Sequence, residues 1–236
     1  MSSAEDDEVR LRAADQVYDG VAGRIFSGEL RAGARLRIRD LAEDAGTSVM
    51  PVREAIQQLV KNGLAVSEPH RGARVREFTT RELIDIYDAR SILEIEAVRR
   101  GAARVSRADI ATMRAACERM YRAVVQVRVN DALDEDEKLL RTVYAASGNP
   151  VIMDLIEQLW IQCRAYKVMG ATAAIQHQDA SLWEPQPALI EAIERGDTTL
   201  ATAITRESIA AARTRLEAEI SAPEQGQTRT NVHHHQ

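Results

Sequence analysis

Apolar residues along this chain recur mostly at helical spacing. In residues 9–27, Val17, Val21 and Ile25 repeat every fourth position with Leu11, Ala14 and Tyr18 beside them, which puts one apolar face on a helix. Gly28 and Ala32-Gly33-Ala34 end that pattern. A short helix over 38–45 would bury Leu41 and Ala42, and Gly46-Thr47-Ser48 reads as a tight turn. A second helix is expected over 50–62 with an apolar face of Val52, Ile56, Leu59 and Val60. Ser48 suits its N-cap, Pro51 falls in the first turn where a missing N–H costs nothing, and Gly63 supplies the stop. The period then drops to two: residues 64–68 and 73–77 read as strands about the turn Pro69-His70-Arg71-Gly72. Helix, helix–turn–helix and hairpin is the order of a winged helix–turn–helix.

From Thr79 onward strand signals vanish. Thr79-Thr80-Arg81-Glu82 is a capping-box pattern opening a helix to about 105, with Leu83, Ile86, Ile92, Leu93, Ile95 and Val98 as its expected buried stripe. Ser106 caps a helix over about 107–129, whose stripe runs from Ile110 and Met113 through Cys117, Met120 and Val124 to Val127. Asp131 or Asp134 starts a third helix, reaching Ala146 before the break at Ser147-Gly148-Asn149-Pro150. Further helices are expected over about 151–169, 182–195 and 197–220. The fold class is therefore mainly α: a winged helix–turn–helix over residues 8–78, an all-helical bundle over 79–221, and a disordered tail over 222–236.

Charge sharpens the division. The 236 residues carry a formal net charge of −5, which taken alone argues against nucleic acid as a partner. Residues 1–7 hold three acids and no base, residues 8–79 twelve bases and ten acids, and residues 80–236 nineteen bases and twenty-three acids. The window 31–76 holds nine bases against five acids, so a locally basic module is joined to an acidic one. Cys117 and Cys163 lack metal or disulfide spacing and read as buried thiols. No apolar run reaches the ~20 residues that span a bilayer, and the acidic N-terminus lacks a signal core. The expected location is the cytoplasm. His233–His235 read as a tail or an expression remnant.

The basic module suits DNA. The second helix of a helix–turn–helix presents its N-terminal side chains to base edges in the major groove, which here selects Ser48, Val49, Met50 and Arg53. Arg39, at the start of the preceding helix, could reach bases or phosphate. The wing turn offers His70, Arg71 and Gly72, where glycine permits close backbone approach. An ordinary solvated helix face would also account for Arg53 beside Glu54.

The stretch from Val17 to Val75 resembles the N-terminal domain of GntR-family bacterial transcription regulators. The matching marks are the run from Ile25 through Ser27-Gly28-Glu29-Leu30 to Leu36, then Asp40-Leu41-Ala42, Gly46, Pro51-Val52-Arg53-Glu54-Ala55, Gly63-Leu64 and Arg71-Gly72. The C-terminal part resembles the all-helical effector domain of the FadR-like subfamily, the FCD domain. Its marks are Arg90 with Glu94, the stretch 145–150, and Ala192-Ile193 before Gly196-Asp197. The resemblance implies DNA contacts at Arg39, Ser48, Met50, Arg53, Arg71 and Gly72. Relatives commonly read Ser/Thr-Arg-Thr where this chain has Ser48-Val49-Met50. Val49 or Met50 could instead meet a thymine methyl.

Many relatives hold a divalent metal with one Asp and three His. Aligned on the marks above, those positions fall on Asp136, Leu140, Gln186 and Ser208. The aspartate is present and the histidines are not, so no metal cofactor is expected. A weak oxygen-ligated site at Asp136, or a substitute ligand in His177, stays open. Without a metal, Arg90 and Arg164 could hold a carboxylate effector by bidentate bonds, with Asp136, Gln186 and Ser208 adding polar contacts; Arg90 could equally pair with Glu94 four residues on. The function expected is a ligand-responsive transcription regulator, a repressor, bound as a homodimer to double-stranded operator DNA, with a small organic acid as effector and no membrane partner. A hydrolase or lyase in the helical half has no nucleophile, zincin or phosphate-loop motif behind it, so no catalytic residue is expected. A non-DNA interaction module that kept the fold is the remaining alternative.

Overall fold

The computed structural model describes residues 2–68 and 72–221. His70 and Arg71 of the wing turn, and the expected tail 222–236 with His233–His235, lie outside the described residues. The N-terminal part comprises α1 (Ser2–Phe26), β1 (Arg35–Leu36), α2 (Ile38–Asp44), α3 (Val49–Lys61), β2 (Ala65–Glu68) and β3 (Gly72–Val75). The helical part comprises α4 (Thr80–Gly101), α5 (Arg107–Val125), α6 (Val129–Ala145), α7 (Pro150–Gln176), α8 (Pro185–Glu194) and α9 (Thr198–Ser221).

The every-fourth-residue pattern of α1 buries Val17, Val21 and Ile25 against Val52, Ala55 and Leu59, which have no exposed surface on α3. The strands form an antiparallel sheet ordered β1-β3-β2, with Ala65 opposite Val75 and Leu36 opposite Ala73. Period-two alternation turns Ala73 and Val75 inward. The two-residue β1 is too short to show any alternation in sequence, and it forms because the chain turns at Gly33 back onto β3: Gly33 N–H donates to Val75 O at 3.0 Å.

The expected Thr79 capping box is present, and Ser106, expected as an N-cap, forms one too: the Thr79 and Ser106 hydroxyls accept from the N–H groups of Glu82 and Asp109, whose carboxylates bond back. Ser48 occupies the N-cap of α3 but its side chain makes no capping hydrogen bond. Two expected stripes need correction. Ile92 is 72% exposed, and the buried line of α4 runs instead through Leu83, Arg90, Glu94, Ala97 and Gly101, so the stripe includes an ion pair. Val127 is also exposed, because α5 ends at Val125 and Val127 turns the chain with φ 56°. Finally, α7 runs past the expected end near 169 to Gln176; one glycine at 170 costs a packed helix only about 1 kcal/mol.

The long α7 joins the cores. Ile156 and Trp160 enter the main helical core, Cys163 packs with Leu83, Tyr87 and Ile209, and Ile161 packs against the core of the N-terminal part. Both cysteines are free and buried.

Candidate DNA-reading surface and effector cavity

Helix α3 has two unlike faces. Val52, Ala55 and Leu59 anchor it inward, while Val49 and Met50 stand 48% and 52% exposed and Ser48 and Arg53 also face outward. Two adjacent apolar side chains left in water at the start of an anchored helix are not explained by the fold. Arg39 is exposed on α2 and borders one shallow cleft with Arg37, Val49 and Arg53. Arg37 was not singled out from the sequence; the signal was the alternation Arg35-Leu36-Arg37-Ile38-Arg39, which turns Leu36 inward and the arginines outward. Arg37 lies 3.7 Å from Asp40. Arg39 and Arg53 have no hydrogen bond or ion pair among the described residues. In the wing, Gly72 opens β3 at φ +89°, in the left-handed region that side-chain-bearing residues rarely adopt. Arg74 is held by Glu68, Nε to Oε1 at 2.5 Å.

The second site is a cavity of about 100 Å³ enclosed by α4, α6, α7, α8 and α9. Asp136, Leu140, Gln186 and Ser208, distant in sequence, all line it. Gln186 Nε2 donates to Asp136 Oδ1 at 2.6 Å, and Gln186 Oε1 is buried without a partner. Burial pushes the Asp136 carboxyl above its ordinary value, against the opposing pull of Lys167 and the Gln186 bond. The four positions do not suit a transition metal. One carboxylate, an amide, a hydroxyl and a leucine make a poor donor set, and the amide already presents a proton donor to the carboxylate. Among the described residues no three His, Cys, Asp or Glu side chains cluster as metal ligands. His177 caps the end of α7, exposed and away from the cavity.

Arg90 lines the cavity, but its Nε is spent on Glu94 Oε1 at 2.7 Å. Glu94, 1% exposed, also accepts from Trp160 Nε1 and from the Tyr144 hydroxyl, each at 2.9 Å. Burial works against the Arg90 charge, yet Glu94 beside it keeps the guanidinium well above its ordinary range. The sequence alternative of an Arg90–Glu94 pair is therefore realised. Arg164 does not line the cavity. From α7 it lies toward α6, between Asp134 at 2.7 Å and Glu137 at 3.0 Å, and borders a cleft shared with Gly23 and Phe26 of α1. Three residues along the same helix, Lys167 does line the cavity and bonds Glu137 at 2.6 Å. Burial would raise the Glu137 pKa, but Lys167 and Arg164 outweigh it and hold the carboxyl below its ordinary value. Arg215 of α9 also lines the cavity; neither it nor Lys167 was singled out from sequence. No helix among the described residues is long and apolar enough to cross a membrane.

Comparison with known proteins bears on both sites. Residues 13–75 match the model of bacterial regulatory proteins of the gntR family, and residues 85–211 match the FCD domain. The chain is 31% identical over 148 residues to the HTH-type transcriptional regulator McbR of Escherichia coli, covering 62% of this chain and 66% of that one. It is 31% identical over 198 residues to a probable D-xylose utilization operon transcriptional repressor of Paenarthrobacter nicotinovorans, covering 81% and 83%. In fold it is similar to the solved E. coli McbR/YncC structure, with TM-score 0.76, 24% identity and 88% and 98% coverage. A GntR regulator structure from Rhodococcus sp. RHA1 gives 0.72, 20%, and 87% and 97%. An outward reading helix on a winged module, joined to a helical bundle that matches an effector-domain family over more than half of the chain, has one consistent reading: the chain belongs to the GntR family of bacterial transcription regulators and carries an FCD domain.

Proposed function

We propose that this regulator is a repressor that binds a pseudo-palindromic operator as a homodimer and responds to a small carboxylate held in the helical cavity. The observation that carries the reading is the position of α7, which lines the cavity with Lys167 on one side and packs Ile161 against the DNA-reading module on the other. A ligand that shifts α7 has a direct mechanical route to the reading head. It acts only through differential affinity for DNA-competent and DNA-incompetent states.

On DNA, Arg53 and Arg39 supply base or phosphate contacts, Arg37 adds a further cation at the same cleft, and Ser48 sits at the edge of the groove. Val49 and Met50, exposed in the free protein, suit thymine methyl groups; this explains apolar side chains in water where relatives use polar readers. To the wing residues His70, Arg71 and Gly72 we assign contacts at the neighbouring groove edge. In a dimer the two half-sites lie about 34 Å apart, one helical turn. The effector is held without a resident metal, since the Asp136–Gln186 pair uses the carboxylate that a metal would need.

The test selects bound sequences from random duplexes with the full chain and footprints the winner. The expected result is a two-fold-symmetric site with thymines in each half. Arg53→Ala is expected to weaken specific binding by about 1–3 kcal/mol with unchanged melting. Absence of any enriched sequence, or undiminished affinity in Arg53→Ala, overturns the reading.

A further inference from the structure

The cavity polar groups separate into satisfied pairs and two unsatisfied ends. Arg90 has Glu94, and Lys167 has Glu137. Arg215 has no hydrogen bond or ion pair among the described residues. It is half-buried, and desolvation lowers the pKa of its guanidinium against the pull of Asp179 and Tyr87. At the other end Gln186, 5% exposed, holds Asp136 with its amide N–H and leaves Oε1 buried and without a partner. Asp136, 8% exposed, accepts that amide bond and faces no directly bonded cation among the described residues.

These ends require opposite things. A guanidinium with five N–H donors and no acceptor asks for an anion, best a planar carboxylate. An orphan amide oxygen beside a carboxylate asks for a hydrogen-bond donor. On α9, the cavity-lining Ser208 and Arg215 are seven residues apart, two helical turns on one face, or about 10 Å along the axis. Between them the wall includes Ile209 and Ala212, which asks for a short apolar spacer.

We propose that the effector is a small bifunctional acid, its carboxylate on Arg215 and a hydroxyl or amine at its other end donating to Gln186 Oε1 and Asp136. This rests on the reading of the cavity as the effector site. Arg215, rather than Arg90, whose charge Glu94 already pairs, is the anion anchor, and Gln186 selects for the donor. A plain acid of the same length leaves Gln186 Oε1 orphaned, and a diol leaves Arg215 without its anion. Hydroxyl and amine are the two sources of one donor chemistry. An amine bears a positive charge that Asp136 would pair with, so the two series separate by their dependence on that residue.

The experiment titrates the full-length protein by calorimetry with ω-hydroxy and ω-amino carboxylates of three to six carbons, the plain acids and the diols of matching length. The same protein is assayed in parallel for operator binding. Expected is one chain length at which a bifunctional acid binds at least tenfold more tightly than both the plain acid and the diol. Arg215→Gln should remove the preference over the diol, and Gln186→Leu the preference over the plain acid. Gln186→Glu, which keeps an acceptor at the same place, should retain the second preference and shift it toward the amine; it also covers the case in which Gln186→Leu does not fold. Asp136→Asn should weaken an amine ligand at least tenfold and a hydroxyl ligand little. Equal affinity for plain and bifunctional acids, undiminished binding in Arg215→Gln, or no binding by any bifunctional acid overturns the inference. If the operator footprint persists in that last case, the regulator reading stands without it. Loss of the footprint in the wild-type chain would overturn the regulator reading itself.

Discussion

Glu94 bonds to three residues on three helices of the helical domain. Its carboxylate is 1% exposed and accepts three bonds, from Arg90, Tyr144 and Trp160, tying α4 to α6 and α7. Replacing it by Gln preserves shape but leaves the 6%-exposed guanidinium of Arg90 without a counter-charge. It also points an N–H₂ group toward existing donors. Removing one partner of a buried ion pair costs about 3–5 kcal/mol. For a chain of this size each kcal/mol moves Tm by roughly 2–4 °C, so the expected fall is about 6–20 °C. The larger part of that loss comes from the stranded Arg90 charge, and the double variant Arg90→Met/Glu94→Gln should therefore recover most of it. A cycle of urea melts followed by circular dichroism should give a coupling of about 2 kcal/mol or more between the two positions. A Glu94→Gln cost below about 1 kcal/mol, or strictly additive losses, would refute the reasoning.

Other outcomes follow from the same contacts. A Cβ at Gly101 would collide with the Val143 carbonyl of α6, so Gly101→Ala should cost about 1–3 kcal/mol; Gly20→Ala on α1, where a Cβ meets nothing, should stabilise by about 0.5–1 kcal/mol, and chemical denaturation ranks the two. Bonds from the Thr79 N–H and hydroxyl, with Arg76 next, hold the Glu82 carboxyl down to about 2. Its contribution is present above the unfolded pKa of about 4.3 and is lost as pH falls toward about 2. Glu82→Gln should therefore melt below wild type near neutral pH, with the gap closing through that window; a constant gap would count against the capping box. The Asp136 carboxyl is raised by burial, so the folded chain retains a proton that the unfolded chain releases, and stability declines as pH rises through the raised value. Asp136→Asn should melt at or above wild type at about pH 8 and lose that advantage near pH 4, and a lower Tm at pH 8 would contradict the reading of Asp136 as an uncompensated buried acid.

Much of the fold was legible because its determinants are local. The Thr79 capping box, the Ser106 N-cap, the Val17-Val21-Ile25 face and the Val52-Leu59 face depend on residues within a few turns of one another, and each forms as the sequence predicts. The change of period at residue 64 located the wing strands for the same reason. Asp136, Leu140, Gln186 and Ser208, singled out by resemblance, all line one cavity.

The chain sequence by itself determined the helix starts at Thr79 and Ser106, which module is basic, and which side chains of α3 face outward. Periodicity and charge are properties of neighbours along the chain. Tertiary packing alone decided which basic side chains face the cavity and which are paired. Arg90 and Arg164 both sit in apolar stretches, yet Arg90 pairs with Glu94 at the cavity wall and Arg164 pairs with Asp134 and Glu137 outside the cavity lining. Lys167 and Arg215 carry no mark in the sequence, and they line the cavity because of how α7 and α9 dock. A charged side chain is placed by whichever element covers it and whichever counter-charge that element brings. The partners arrive from positions such as 94 and 137, on other helices of the bundle or four residues along the same one. The whole-chain charge of −5 averages over these pairs and carried no information about them.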